Sequence, residues 1–418
     1  MKVSRRGLIG SGAAAAGVAG AYVLGHATVD GPDVAVPAGG SGDGVAASYA
    51  FRGAHQAGIV TPAQDRLHFA AFDLTTDSPA AVVALLKAWT EAAERMVQGE
   101  GAGPVGPTEG AADLPPDDTG EAIGLPPSGL TITVGFGPGF FEKLGLEDRR
   151  PAALEDLPHF PGDNLDPSRS GGDVCVQACA QDPQVAVHAV RNLARIGFGT
   201  VAVRWSQLGF GRTSTTSTSQ STPRNLFGFK DGTANVKAEE TSALDEHVWV
   251  GADDDPRSDW LVGGSYLVTR RINMTIEVWD RQPLEDQEGF VGRTKASGAP
   301  LSGGQEMSEP DFSMPGHDGP VIPKDAHIRV VHPTVNDGVR MLRRGYNFVD
   351  GSNALGGLDA GLFFIAFVRD PLRQFVPVMN RMAKQDALVE YLKFTSSALF
   401  AVPPGAAPGE YVGQALFA

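Results

Sequence analysis

Cysteine is scarce in this chain, with two among 418 residues. Cys175 and Cys179 lie four positions apart in an apolar stretch that is typical of a β-strand. In a strand both side chains would point to the same face but stand more than ~10 Å apart, which is too far for a disulfide. A disulfide framework is therefore excluded. We expect two buried free thiols rather than a metal pair, which would need further ligands nearby.

Basic residues are also in short supply. Lysine and arginine number 34 against 49 acidic residues, which gives a formal charge of −15. A nucleic-acid surface needs clustered positive charge, so nucleic acid is excluded as a partner. The apolar content of 42% is enough for a sizeable core, and we attribute the acidity to solubility.

Long hydrophobic runs are absent, and the first residues are typical of an export signal. Ser4-Arg5-Arg6-Gly7 is a twin-arginine pattern, and the weakly apolar run after it ends at Leu24. This run is too short and too rich in glycine and alanine for a transmembrane span, and Gly25-His26-Ala27 fits a cleavage site. The pattern predicts a signal peptide over residues 1–27, export by the twin-arginine translocation machinery, and a periplasmic or extracellular location. Because this route carries folded proteins, it favours a cofactor inserted before export.

The mature chain begins with one α+β unit. Residues 28–48 are rich in Gly, Pro, Ala and Ser and predict a flexible linker. Over residues 49–222 the order is strand, helix, strand, strand, helix, strand, with helices starting at Ser78-Pro79 and Asp182-Pro183. This is the order of a ferredoxin-like domain with an antiparallel sheet. The glycines at 135–139 lack the spacing of a dinucleotide-binding loop, and we interpret them as a turn.

Residues 223–418 repeat this arrangement more weakly. Apolar alternation predicts strands at 265–270 and 273–279, and a continuous apolar run predicts another at 361–368. Asp370-Pro371 predicts the start of a helix. The expected fold class is therefore α+β, with two ferredoxin-like domains and antiparallel sheets, as in the dimeric α+β barrel superfamily.

One aspartate, one histidine and one arginine stand out as candidate site residues. Asp231 lies in Gly-Phe-Lys-Asp-Gly-Thr-Ala-Asn, between glycines that let a ligand approach the backbone closely. His327 in Ala-His-Ile-Arg and Arg343 in Leu-Arg-Arg-Gly-Tyr would complete a set of acid or base, metal ligand and fixed cation. His332 is the serious rival to His327 as a ligand.

Longer motifs connect these residues to a known family and are spread over nearly the whole mature chain. They are Gly-Ala-His-Gln-Ala-Gly-Ile-Val-Thr-Pro at 53–62, Arg-Asn-Leu-Phe-Gly-Phe-Lys-Asp-Gly-Thr at 224–233, Gly292-Arg293, Ala326-His327, Leu-Arg-Arg-Gly-Tyr at 342–346 and Phe-Ala-Val-Pro-Pro-Gly at 400–405. On these motifs the chain resembles the dye-decolourising peroxidases, in particular the exported branch that includes deferrochelatase-type peroxidases.

The resemblance implies a haem peroxidase that binds haem b (iron protoporphyrin IX), reduces hydrogen peroxide and oxidises dyes, phenols or similar donors. It implies that His327 is the iron ligand, that Asp231 is the catalytic acid and base, and that Arg343 is the catalytic cation and also contacts haem. Arg344 is expected to face elsewhere. The other residues that the resemblance places around the haem are Gly232, Thr233, Ala234, His332, Pro333 and Thr334.

Each of these parts has a chemical reason. Cleavage of hydrogen peroxide requires a proton to move between its two oxygens, which a carboxylate can carry. A guanidinium can stabilise the charge that develops on the departing oxygen. A ligating histidine usually donates to a carboxylate, and we expect Glu390 or Asp370 to serve here.

Several alternatives stay open at this point. Large donors cannot easily reach a buried iron, so oxidation through surface aromatic residues is one hypothesis, with Trp205, Trp260, Trp279 and Tyr346 as candidates. Release of iron from haem for iron supply is a second function, and an exported binding module without redox chemistry is a third. The sequence also leaves open the physiological electron donor and the formation of a homo-oligomer.

Overall fold

The computed structural model describes residues 47–317 and 319–418. The predicted signal peptide, and the predicted linker apart from its last two residues, lie outside the described residues. Within the described ranges, no helix is both long enough and apolar enough to cross a membrane.

The first half of the described chain forms four antiparallel strands with helices between them. Its elements are β1 (Arg66–Leu74), α1 (Pro79–Met96), β2 (Thr131–Phe136), α2 (Pro138–Leu144), β3 (Val174–Ala180), α3 (Pro183–Ile196) and β4 (Val201–Arg212). The predicted caps start two helices: Ser78 Oγ accepts from the Ala81 amide at 3.3 Å, and Asp182 Oδ1 accepts from the Gln184 amide at 2.7 Å. The strand order β2-β3-β1-β4 is that of a ferredoxin-like domain.

The second half repeats this strand order. Its elements are α4 (Thr241–His247), β5 (Ser265–Met274), α5 (Ile276–Trp279), α6 (Leu284–Val291), α7 (His327–Val330), β6 (Leu342–Arg343), β7 (Tyr346–Ser352), β8 (Leu358–Val368), α8 (Phe375–Gln385) and β9 (Leu392–Val402). The order β9-β5-β8-β7 is again ferredoxin-like, and β6 extends the line of β7 along β8. The predicted fold class is confirmed, while the boundary between residues 222 and 223 stays a prediction.

The two sets of strands join edge to edge into one closed sheet. β2 pairs with β9 through Phe136 and Ala401, and β4 pairs with β7 through Phe210 and Asn347. One apolar core fills the interior of the sheet, and a second lies between its outer face and the helices. The interior core contains both cysteines, which are buried and unpaired as expected.

Three local predictions are wrong. The strand predicted over residues 273–279 stops early, and its last four residues form α5, because this turn buries the Trp279 indole. The turn predicted at 135–139 opens into α2, since Pro138 is preorganised for the first turn of a helix. The helix predicted from Asp370 starts later, because the Asp370 carboxylate first caps a separate turn.

Candidate active site

A tight loop presents Asp231. The backbones of Arg224 and Lys230 form an antiparallel β-bridge across the base of this loop. The Arg224 guanidinium donates to the Gly228 carbonyl at 2.6 Å. Gly228 has a φ of +82°, a conformation that favours glycine. The aromatic side chains of the loop are buried in a small apolar cluster. The Asp231 side chain therefore projects from a loop whose backbone is held by contacts on several sides.

Asp231 and Arg343 form an ion pair. Arg343 ends the two-residue strand β6, and its Nη1 donates to Asp231 Oδ1 at 3.2 Å. The other oxygen of the carboxylate accepts from Asn225 Nδ2, also at 3.2 Å. The side chains are 18% exposed for Asp231 and 27% exposed for Arg343. The structure thus brings the predicted acid and the predicted cation together and leaves part of each accessible to a ligand.

The residues after the acid are shaped by neighbouring segments. Gly232 has a φ of +85°, and a Cβ at this position would lie 2.7 Å from Ser214 Cα, so only glycine fits. Thr233 Oγ1 donates to Glu306 Oε1 at 3.3 Å, and Ala234 is exposed. Contact of these residues with haem stays a prediction.

His327 is the first residue of α7, and a buried carboxylate sets its orientation. Its Nδ1 lies 2.6 Å from Asp386 Oδ2, while Asp386 Oδ1 accepts from the Leu388 amide at 2.9 Å. The Asp386 side chain is fully buried, whereas 28% of the His327 side chain is exposed. We assign the ring proton to Nδ1, because only that nitrogen faces the carboxylate. This tautomer leaves Nε2 as the nitrogen that can bind a metal.

The charges around His327 act on its pKa in opposite directions. Burial lowers the pKa, but the charge and the hydrogen bond of Asp386 outweigh burial, so the pKa is raised above its ordinary value. The charge of Asp231 also raises the pKa, and that of Arg343 lowers it. The ion pair and the histidine are therefore within electrostatic reach of one another, as a single site requires.

The prediction that Glu390 or Asp370 supports the histidine is wrong. Glu390 is exposed, and Asp370 is occupied by the backbone amides of its own turn. Sequence reasoning misses Asp386, although this residue is the N-cap of the short helical turn Ala387–Tyr391, which is a recognisable local signal. A cap signal marks the start of a helix, but it does not say which side chain the second oxygen meets.

His332, the rival ligand, has partners on both ring nitrogens. Its Nδ1 lies 2.9 Å from Thr334 Oγ1, and its Nε2 lies 3.1 Å from Glu309 Oε1. Pro333 begins a short helical turn directly after it. Coordination by His332 would cost one of these contacts, which favours His327 as the ligand. Contact of His332, Pro333 and Thr334 with haem stays a prediction.

Two further expectations concern residues beyond the ion pair. Arg344 faces elsewhere, as expected: it is fully buried and donates to the Thr61 carbonyl and to the side chain of Gln64.

The hypothesis of surface aromatic relays is wrong in its premise, because all four candidates are at most 7% exposed. They are Trp205, Trp260, Trp279 and Tyr346.

Known proteins are similar to this chain in sequence and in fold. Residues 56–211 match the family model of the Dyp-type peroxidase N-terminal domain, and residues 222–407 match that of the C-terminal domain. A dye-decolorizing peroxidase of Thermobifida fusca (strain YX) is 40% identical over 373 residues, which cover 87% of this chain and 84% of that protein. A deferrochelatase of Yersinia pestis bv. Antiqua (strain Nepal516) is 38% identical over 425 residues, which cover 99% and 94%.

A solved structure agrees with these matches. The X-ray generated oxyferrous/water mixed complex of DtpA from Streptomyces lividans is 42% identical in sequence, with a TM-score of 0.81. The similarity covers 90% of this chain and 99% of that chain. The class of protein is therefore a haem-dependent peroxidase, an oxidoreductase that consumes hydrogen peroxide together with a reducing substrate. The chain belongs to the Dyp-type peroxidase family, and the resemblance inferred from its motifs is confirmed.

Asp386→Asn should lower the pKa of His327, because the buried ring would lose the negative charge that favours its protonated form. We expect this fall to appear in an NMR titration of the ring in haem-free protein. Glu390→Gln removes an exposed carboxylate from the adjacent turn and should leave this pKa unchanged. An unaltered His327 pKa in Asp386→Asn would contradict the partnership.

Proposed function

We propose that the prosthetic group is haem b, that His327 would hold it through Nε2, and that Asp231 and Arg343 would act on the peroxide that it reduces. The nature of the donor atoms supports this fit. Asp386 occupies the Nδ1 side of the imidazole, and an imidazole backed by a carboxylate is a good iron ligand. The residues that would line the haem are Gly232, Thr233, Ala234, His332, Pro333 and Thr334.

The Asp231–Arg343 ion pair is the observation that carries the proposed mechanism. Bound haem supplies the iron at which hydrogen peroxide is reduced. Asp231 takes a proton from one peroxide oxygen and returns it to the other. Arg343 stays charged throughout and stabilises the negative charge on the oxygen that departs. Asn225, which donates to the second carboxylate oxygen at 3.2 Å, keeps Asp231 oriented for this transfer.

The reducing substrates that we propose are dyes, phenols and similar aromatic donors. The relative from Thermobifida fusca carries the name dye-decolorizing peroxidase, and its sequence matches most of this chain. Donors of this kind lose single electrons readily.

Asp231→Ala and Arg343→Ala should keep the haem absorbance band but react with hydrogen peroxide about 10²- to 10⁴-fold more slowly, because each removes one half of the proton-transfer and charge-stabilising pair. Stopped-flow absorbance measures this rate. His327→Ala should instead lose or loosen haem. Arg340→Ala, which removes a partly exposed guanidinium paired with Glu240 at 2.8 Å, is the matched control. Wild-type rates in both Asp231→Ala and Arg343→Ala would refute these roles.

A second candidate function is release of iron from haem for iron supply, because a relative named deferrochelatase matches 99% of this chain. Membership of a peroxidase family argues against the alternative of a binding module without redox chemistry.

We expect the haem-loaded protein to turn over a dye with hydrogen peroxide and to yield no metal-free porphyrin, because Asp231 and Arg343 are placed to act on peroxide. Chromatography of the extracted pigment measures this directly, with denatured holoprotein as the control. Recovery of intact protoporphyrin IX in amounts that match the iron released would instead make iron supply the primary activity.

We also propose export by the twin-arginine route, with residues 1–27 as the signal peptide. The motif Ser4-Arg5-Arg6-Gly7 supports this proposal. Arg5→Lys combined with Arg6→Lys should retain haem-loaded protein in the cytoplasm, because the translocation machinery reads the arginine pair. Cell fractionation measures the outcome, and N-terminal sequencing of exported protein locates the cleavage site. Undiminished export of the double variant would refute the route.

A further inference from the structure

Within residues 47–317 and 319–418, no strand lies beside Arg343 on the side away from β8. β6 and β7 follow the same edge of β8, and β4 covers their other side only as far as the pairing of Arg212 with Tyr346. One more backbone bond follows, from the Thr213 amide to the Gly345 carbonyl at 2.9 Å. The chain then leaves the sheet, so among the described residues no strand is available to bond the amide and carbonyl of Arg343, which face away from β8.

The side chain of Asn235 takes the place of that strand. Its Oδ1 accepts from the Arg343 amide at 2.7 Å, and its Nδ2 donates to the Arg343 carbonyl at 2.8 Å. Nδ2 also donates, at 2.8 Å, to the carbonyl of Thr215, which belongs to the segment that has left the sheet. Asn235 is 2% exposed, so these bonds are shielded from water and are correspondingly strong.

The same residue belongs to the loop that carries the acid. The Asn235 amide donates to the Gly232 carbonyl at 3.1 Å, which closes the turn directly after Asp231. One short side chain therefore joins the backbone that carries Asp231 to the backbone that carries Arg343. The 3.2 Å contact between carboxylate and guanidinium depends on both backbones.

We propose that Asn235 is a positioning residue for the peroxide reaction and that it acts by holding the Arg343 backbone in register with Asp231. The proposal rests on the roles proposed above for those two residues. An arginine side chain is long and flexible, so its guanidinium is aimed accurately only when its backbone is fixed. A displacement of about 1 Å at a reacting group can slow a reaction about 100-fold.

Gln56 offers a matched control at the other seam of the closed sheet. Its side-chain amide bonds both the amide and the carbonyl of Val134 at 2.9 Å, and it also donates to the Pro403 carbonyl at 2.9 Å. Gln56 is 4% exposed. Gln56→Ala therefore removes the same kind of backbone clamp, at similar burial, without touching the strand that carries Arg343.

Haem-loaded Asn235→Ala should keep the haem absorbance band and react with hydrogen peroxide about 10- to 100-fold more slowly in stopped flow. In an Arg343→Ala background the same change should slow the reaction no further, because the guanidinium that it positions is gone. Gln56→Ala should react at the wild-type rate. Asn235→Asp keeps the size of the side chain but removes its donor, so it should also be slow and it serves if the alanine variant does not fold.

Hydrogen exchange of the haem-loaded protein gives a readout that does not depend on turnover. Exchange of the Arg343 backbone amide should accelerate in Asn235→Ala and stay at the wild-type rate in Gln56→Ala. A general loss of stability would accelerate exchange throughout the sheet instead, and that pattern would count against a local positioning role.

Wild-type peroxide kinetics in folded Asn235→Ala would overturn the positioning role. So would a slowing of equal size in the presence and absence of Arg343, or a similar slowing by Gln56→Ala. If Arg343→Ala itself reacts at the wild-type rate, the proposed role of Arg343 fails and the role of Asn235 fails with it. If Arg343→Ala is slow while Asn235→Ala is normal, only the role of Asn235 fails.

Discussion

The buried indole of Trp279 packs against the loop that carries Asp231 and against the helical turn that Asp386 caps. Trp279 is fully buried, stacks on Phe227 with 4.2 Å between ring centroids, and meets Tyr391 edge-on at 5.2 Å. Phe227 belongs to the loop that presents Asp231, and Tyr391 ends the helical turn that Asp386 caps. Aromatic pairs contribute roughly 0.5–1.5 kcal/mol each beyond the area they bury. One apolar cluster thus holds the catalytic loop and the carboxylate that orients the histidine.

Next to this apolar cluster, hydrogen bonds between polar groups stabilise the backbone of the site. Lys237 lies beneath the loop and donates to the carbonyls of Thr215 and Gly232 at 2.8 and 3.4 Å. Burial and the nearby charge of Arg343 lower the pKa of Lys237 to about 8. Together with Asn235, this ammonium satisfies backbone carbonyls that the sheet leaves unpaired, so the loop is fixed before any ligand arrives.

Local signals explain why the first half of the fold is predictable from sequence and the second half less so. Ser78 and Asp182 each start the helix that the Ser-Pro and Asp-Pro pairs predict. In the second half, α5 forms because Trp279 must be buried, and α8 starts late because Asp370 caps another turn. β6 has two residues, which is too short for any periodicity to appear.

By itself, the sequence determined the family, the class of reaction and the candidate acid, cation and histidine, because each lies in a motif whose residue types carry the chemistry. Only the tertiary structure decided that Asp386, rather than Glu390 or Asp370, meets His327, and that Asn235 completes the hydrogen bonding of Arg343. Carboxylates and amides of equal chemistry recur along the chain. The choice among them depends on which segments the closed sheet brings within hydrogen-bond distance.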